Sequence, residues 1–222
     1  MSTRKKGLIA AVIIAIVVLL DQILKIWVKT SFYIGEEYEI TSWFQLVFVE
    51  NEGMAFGMTL GSKLFLTLFR IAVVIFLAVY IVKVCRIRKV PLGYVVCLAL
   101  IIAGASGNIF DCVFYGRIFN DPLPPQTAVL FPAGSGYAPF FFGKVVDMFY
   151  FPLFSFVWPS WMPWVGGETF LFFKPVFNLA DAAISVGILM LFIGYHRYIL
   201  SPAAIRKLTG EDPTPDNQNS GI

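Results

Sequence analysis

Two stretches of this chain put carboxylates where carboxylates are costly. Val176–Phe192 is apolar enough to enter a bilayer, yet it carries Asn178 and Asp181 near its start and Ser185 one turn on. Spacings of three and four residues would stack these side chains on one stripe of a helix. A carboxylate inside a membrane segment costs roughly 2.5–3.5 kcal/mol on insertion scales, so it is a functional candidate in search of a partner. The sequence offers Asp147, in the short apolar run Gly143-Lys144-Val145-Val146-Asp147-Met148. Two carboxylates sharing a site cannot both ionise easily, so one keeps a proton while the other is free to act as a base. That arrangement suits the working pair of an intramembrane enzyme, one carboxyl acting as base and the other as acid. The same acids suit two other readings. One is a proton or ion path through a small polytopic transporter; the other is a scaffold whose acids only cap helices or pair with Lys25 and Arg70.

The elements that must hold these residues are membrane helices. Of 222 residues, 58% are hydrophobic and 14% charged, whereas soluble domains carry about 25% charged residues. A net charge of +3 is too small to point to nucleic acid. Cys85, Cys97 and Cys112 are scattered through apolar surroundings and His196 stands alone, so neither a disulfide framework nor a metal motif can be built. No glycine-rich nucleotide loop is present. The expectation is a chemistry without metal or cofactor.

Arg4, Lys5 and Lys6 precede an apolar pattern from Gly7 to Val28, which would span about 33 Å as a helix. It is too long for a signal-peptide core and is read as a retained first helix. Asp21 and Lys25, four residues apart toward its far end, are either a snorkelling ion pair at the membrane edge or part of a site. Residues 30–62 leave the membrane, with partial alternation that predicts short strands. Leu64–Val82 is the second helix, with Arg70 expected to snorkel near its outer end. A basic connection, Lys83–Lys89, leads to Pro91 and a third helix, Leu92–Phe110. Gly104, Gly107 and Asn108 share a face with Asp111 there, a seam on which another helix can come close. Residues 112–175 form a long second external segment whose prolines exclude a continuous span. Phe140–Phe142 and Tyr150–Trp164 are aromatic enough for the membrane interface. The fourth helix is expected over Val176–Tyr195. Basic residues at both ends and in the Lys83–Lys89 loop put those parts in the cytoplasm and Asp111, Asp147 and Asp181 near the outer face. The expected architecture is mainly α and integral to the membrane, with four transmembrane helices, a small β-rich loop region and the long second external segment. Residues 1–208 make one domain, and 209–222 a disordered cytoplasmic tail.

Five short blocks, in order, resemble the signature of the bacterial lipoprotein signal peptidases (signal peptidase II). They are Asp21-x-x-x-Lys25, Asn51-x-Gly53-x-Ala55-Phe56-Gly57, Gly104-Ala105-x-Gly107-Asn108-x-x-Asp111, Gly143-x-Val145-Val146-Asp147 and Phe177-Asn178-x-Ala180-Asp181. The resemblance implies an aspartic endopeptidase of the bacterial cytoplasmic membrane, and a monomer is the expected state. It removes signal peptides from prolipoproteins on the amino side of a diacylglyceryl-modified cysteine, with membrane lipids around it. It implies that Asp147 and Asp181 are the catalytic dyad, and that Asp21, Lys25, Asn51, Gly53, Gly104, Asn108, Asp111, Asn178 and Ala180 shape or support the site. Two departures stand out. The family usually has Asp-Arg where this chain has Asp111-Cys112, so the arginine's support is absent or comes from elsewhere, with Arg117 a candidate. Residues around 118–142 and 149–174 look inserted, and an extended rim over a substrate groove is one expectation for them.

Overall fold

The computed structural model describes residues 2–52, 60–87 and 89–200. Within them, four helices are long and apolar enough to cross a membrane: α1 (Thr3–Ser31), α2 (Leu60–Arg86), α3 (Leu92–Phe110) and α5 (Leu179–Leu200). Beyond α3 the chain keeps turning through a π-helical stretch, Asp111–Tyr115, and a single turn, α4 (Gly116–Ile118). Three strands, β1 (Glu37–Thr41), β2 (Phe44–Asn51) and β3 (Val145–Tyr150), form an antiparallel sheet in that order. β4 (Phe154–Val157) and β5 (Thr169–Phe172) form a separate antiparallel hairpin. The expected mainly helical membrane fold is therefore present. The tail expected over 209–222 and Gly53 with its loop lie outside the described residues.

Local chemistry sets the helix ends. Ser2 caps α1, its hydroxyl accepting from the Lys5 N–H at 3.4 Å. Pro91 precedes α3, where a missing N–H costs nothing. Lys6 is buried and donates its ammonium to the carbonyls of Ile87 (2.9 Å) and Val90 (2.6 Å), which stitches the start of α1 to the α2–α3 connection. The third helix does end its α-helical course at Phe110, but the π stretch and α4 carry the helical path on to Ile118. The long loop expected from residue 112 thus begins later. The fourth helix starts at Leu179 rather than Val176, because Phe177 is bridged to Phe149 of β3 and Asn178 caps the helix.

Two apolar clusters hold the molecule together. One lies among the helices, with Val84, Val95, Leu98, Ala99 and Ile102 at its centre. The other lies under the sheet, where Val28, Phe48, Tyr115, Phe119, Val146 and Met148 meet. Phe65, Phe69 and Phe76 on α2 and Phe192 and Ile193 on α5 remain exposed on the protein, as side chains facing lipid do. β3 has no alternation to betray it, since Val145, Val146, Asp147 and Met148 are all buried. The expected helix–helix seam is real: a Cβ on Gly104 would collide with the Ala180 carbonyl oxygen, and one on Gly107 would come within 2.6 Å of Asp21 Oδ2. The missing side chain at Gly104 lets α5 come close to α3, and the one at Gly107 makes room for Asp21 of α1.

Candidate active site

The first turn of α5 organises the site. The Asp181 N–H donates to Asn178 Oδ1 at 2.9 Å, and the Asn178 N–H donates back to Asp181 Oδ2 at 3.4 Å. This reciprocal pair is a capping box, so Asn178 precedes the helix instead of sharing a stripe with Asp181. Ser185, expected on that stripe, is exposed on α5.

β3 delivers the second acid. Val49 of β2 faces Asp147 across the sheet. The chain just before Asn178 is tied to the same strand: Phe149 N–H to Phe177 O at 2.8 Å, and Phe177 N–H to Phe149 O at 3.0 Å. Asn178 consequently reaches both acids. Its Nδ2 donates to Asp147 Oδ1 at 2.7 Å, while its own cap holds Asp181. Asn108 of α3 completes the frame, donating from Nδ2 to Asp181 Oδ1 at 2.7 Å. Asn51 lies two residues beyond Val49, on the same face of β2, and its side chain hydrogen-bonds Asp147. Burial, and next the Asp181 charge, push the Asp147 carboxyl up to about 7, against the lowering effect of the two asparagines.

Behind this frame sits a closed ion cluster. The Lys25 ammonium reaches Asp111 Oδ2 (2.7 Å), Asn108 Oδ1 (2.8 Å) and Asp21 Oδ2 (2.9 Å), three acceptors for its three protons. Asp21 and Lys25 are at most 1% exposed, so the snorkelling reading fails. Asp21 turns its other oxygen to the Ala180 N–H at 2.9 Å, placing an anion on the N-terminus of α5. Gln22 donates to Asp111 Oδ1 at 2.9 Å and accepts from Tyr115 OH at 3.0 Å. Asp111 therefore belongs to the cluster that orients the site, one step removed from the paired acids.

A second cluster escaped the sequence reading. Lys29 and Glu50, both buried, form an ion pair, and Lys144 bridges Glu50 (3.0 Å) and Asp121 (2.8 Å). The Lys29 ammonium also lies 5.3 Å from the ring centres of Phe119 and Tyr137. The four-residue spacing of Asp21, Lys25 and Lys29 along one face of α1 was the available signal. The segment after α4 closes over this cluster, with the Ala128 N–H on Lys29 O (3.2 Å) and the Gly143 N–H on Cys112 O (2.8 Å).

The cation beside Cys112 is Arg70, whose Nη1 approaches Sγ at 3.8 Å. Arg70 thus does not simply snorkel, and Arg117 lies over the Phe140 ring instead. Cys112 is 1% exposed. Cys112→Arg should therefore bury a second guanidinium against Arg70 and destabilise the protein by about 3 kcal/mol. Adding Arg70→Ala should recover much of that loss, and Cys112→Ser should be mild. Thermal unfolding of the three variants checks this; an unchanged midpoint for Cys112→Arg would remove Arg70 from this position.

Comparison with known proteins gives the family. A family model described as signal peptidase (SPase) II matches residues 13–197. A lipoprotein signal peptidase of Porphyromonas gingivalis is 47% identical over 218 residues, covering 98% of this chain and 96% of that protein. One of Amoebophilus asiaticus is 34% identical over 191 residues, covering 83% and 76%. A solved bacterial membrane enzyme superposes with a TM-score of 0.57 at 23% identity, covering 83% of this chain and 90% of that one, and so shares the fold. This multi-pass membrane protein belongs to the signal peptidase II family of peptidases.

Proposed function

We propose that the protein is an aspartic endopeptidase that removes signal peptides from prolipoproteins on the amino side of a diacylglyceryl-modified cysteine. The observation that supports it most is Asn178, which holds Asp147 by its side chain and Asp181 by the helix cap. Two carboxyls so linked share one proton below about pH 7, where Asp147 is pushed by burial and by Asp181. The ionised carboxylate takes a proton from water, whose oxygen attacks the scissile carbonyl. The protonated carboxyl hydrogen-bonds the carbonyl oxygen as charge develops there. The proton taken from water then passes to the leaving amine. Asn51 and Asn108 hold the acids in place and carry no proton themselves. The chain's own carboxyls complete this cycle without a metal or cofactor.

Cleavage of a diacylglyceryl-modified prolipoprotein peptide by the purified, lipid-reconstituted protein tests the proposal. Turnover should persist with chelators present. It should fall as pH rises through about 7, because the proton held by the pair is lost there, approaching tenfold per pH unit. Absence of cleavage of the lipid-modified peptide, or equal cleavage of the unmodified one, would overturn the substrate assignment.

The charge pattern further supports cytoplasmic termini and a site at the outer face of the bacterial inner membrane; we also propose a monomer whose residues 1–208 act as one protease domain. A cysteine introduced at Glu37 should react with an impermeant thiol reagent on intact cells, and one at Ser2 should not. The reverse pattern would invert the topology.

A further inference from the structure

The β4–β5 hairpin carries an aromatic face that stays largely exposed among the described residues. Phe154 pairs with Phe172 and Phe156 with Phe170 across the strands. The first pair of rings stacks at 4.7 Å, the second meets tilted at 5.0 Å, and Trp158 extends the row edge-on to Phe156. Phe154 is nevertheless 53% exposed and Phe172 42%. The loop at the tip is closed by the Trp158 N–H on Glu168 O (2.9 Å) and the Gly166 N–H on Met162 O (3.0 Å). It presents Trp161 and Trp164 at 79% and 96% exposure. Glu168 is the single charge between Phe151 and Phe173. A two-stranded hairpin with such a surface is marginal in water, and so large an apolar patch marks an interaction surface.

We propose that this hairpin is a membrane-interface anchor, with Trp161 and Trp164 at the headgroup level and the Phe154–Phe172 face against lipid. The hairpin lies between β3 and the start of α5, one of four helices long and apolar enough to cross a membrane, which makes the bilayer the apolar phase at hand. Tryptophan at the tip and a near absence of charge suit the interfacial belt and not bulk water. The anchor is also rigidly joined to the site. Phe151 at its base stacks on Phe44 (4.8 Å) and Phe177 (5.7 Å), and Phe173 meets Phe177 edge-on at 5.9 Å. Phe177 immediately precedes Asn178 and is bridged to Phe149. Insertion of the hairpin thereby fixes how deep Asn178 and β3 sit relative to the lipid. This anchoring stands independently of the proposed peptidase reaction.

Nitroxide depth measurements on the full chain in phosphatidylethanolamine–phosphatidylglycerol vesicles test it. Labels go on Trp164→Cys, Phe156→Cys and, as a water-exposed control, Glu39→Cys; Cys85, Cys97 and Cys112 are buried. The ratio of oxygen to nickel-chelate collisions at 164 and 156 should exceed that at 39 by about tenfold. A ratio at 164 equal to the control would put the hairpin in water and overturn the anchor. Shielding of both labels from both reagents would also overturn it, pointing to a second copy or a contact within the chain. Adding Trp161→Glu should shift the label at 156 toward the control while the thermal midpoint of the helical core holds. An unchanged reading at 156 would remove the tip from the anchoring.

Discussion

Asp147→Asn and Asp181→Asn will each lower peptide cleavage by about 10³-fold or more, with the protein still inserted and able to bind substrate. An asparagine matches aspartate in shape but neither takes a proton from water nor holds the shared one. At position 181 its side-chain oxygen can still accept from the Asn178 N–H, so the start of α5 survives. At 147, Asn178 still finds an oxygen acceptor. Under the proposed mechanism the two acids act as one unit, so the double variant should be little worse than either single one. Asp111→Asn is the control: bound to Lys25 and Gln22, it should lose stability while the folded fraction keeps turning over. Substantial cleavage by either single dyad variant ends the assignment.

Lys25→Met carries the largest expected loss of stability. The ammonium serves Asp21, Asp111 and Asn108 at once, and none of the three charged groups has access to water. Removing one partner strands two carboxylates in an apolar setting, at a cost of about 3–5 kcal/mol. The variant should therefore unfold many degrees below the parent in detergent. Neutralising the stranded acids as well, with Asp21→Asn and Asp111→Asn, should restore a large part of the loss, since no unpaired charge then remains. A midpoint unchanged by Lys25→Met alone would show that the cluster is not closed as described.

What could be read in the sequence follows from how local each signal is. Asp181 stands out because it is a carboxylate in an apolar run, and the four spans stand out because each is one continuous apolar stretch. Asn178-Leu179-Ala180-Asp181 also carries a legible cap pattern, but the surrounding hydrophobicity invited a longer helix and hid it. β3 was illegible as a strand because both of its faces are buried, which removes the period of two. β4 and β5 were masked by Pro152, Pro159 and Pro163, which flank β4 and shape the tip without interrupting either strand. Only the Lys29 half of the Lys29–Glu50 pair has a local signature, its spacing from Asp21 and Lys25 on α1, since Glu50 meets it only when β2 folds over the end of that helix. The contact of Arg70 with Cys112 likewise depends on the π-helical stretch, whose register no pattern announces.

The anchored first turn of α5 has a consequence for hydrogen exchange. Amides in the first turn of a helix usually lack partners and trade their protons freely with solvent. Here the Ala180 N–H is taken by the Asp21 carboxylate, the Asp181 N–H by the Asn178 side chain, and the Ala182 N–H by the Asn178 carbonyl. These three amides can take up deuterium only when α1, the cap and α5 separate. Slow uptake across Ala180–Ala182 therefore reports an assembled site in the resting protein, with no substrate present. It also distinguishes a variant that has lost its chemistry from one that has lost its architecture.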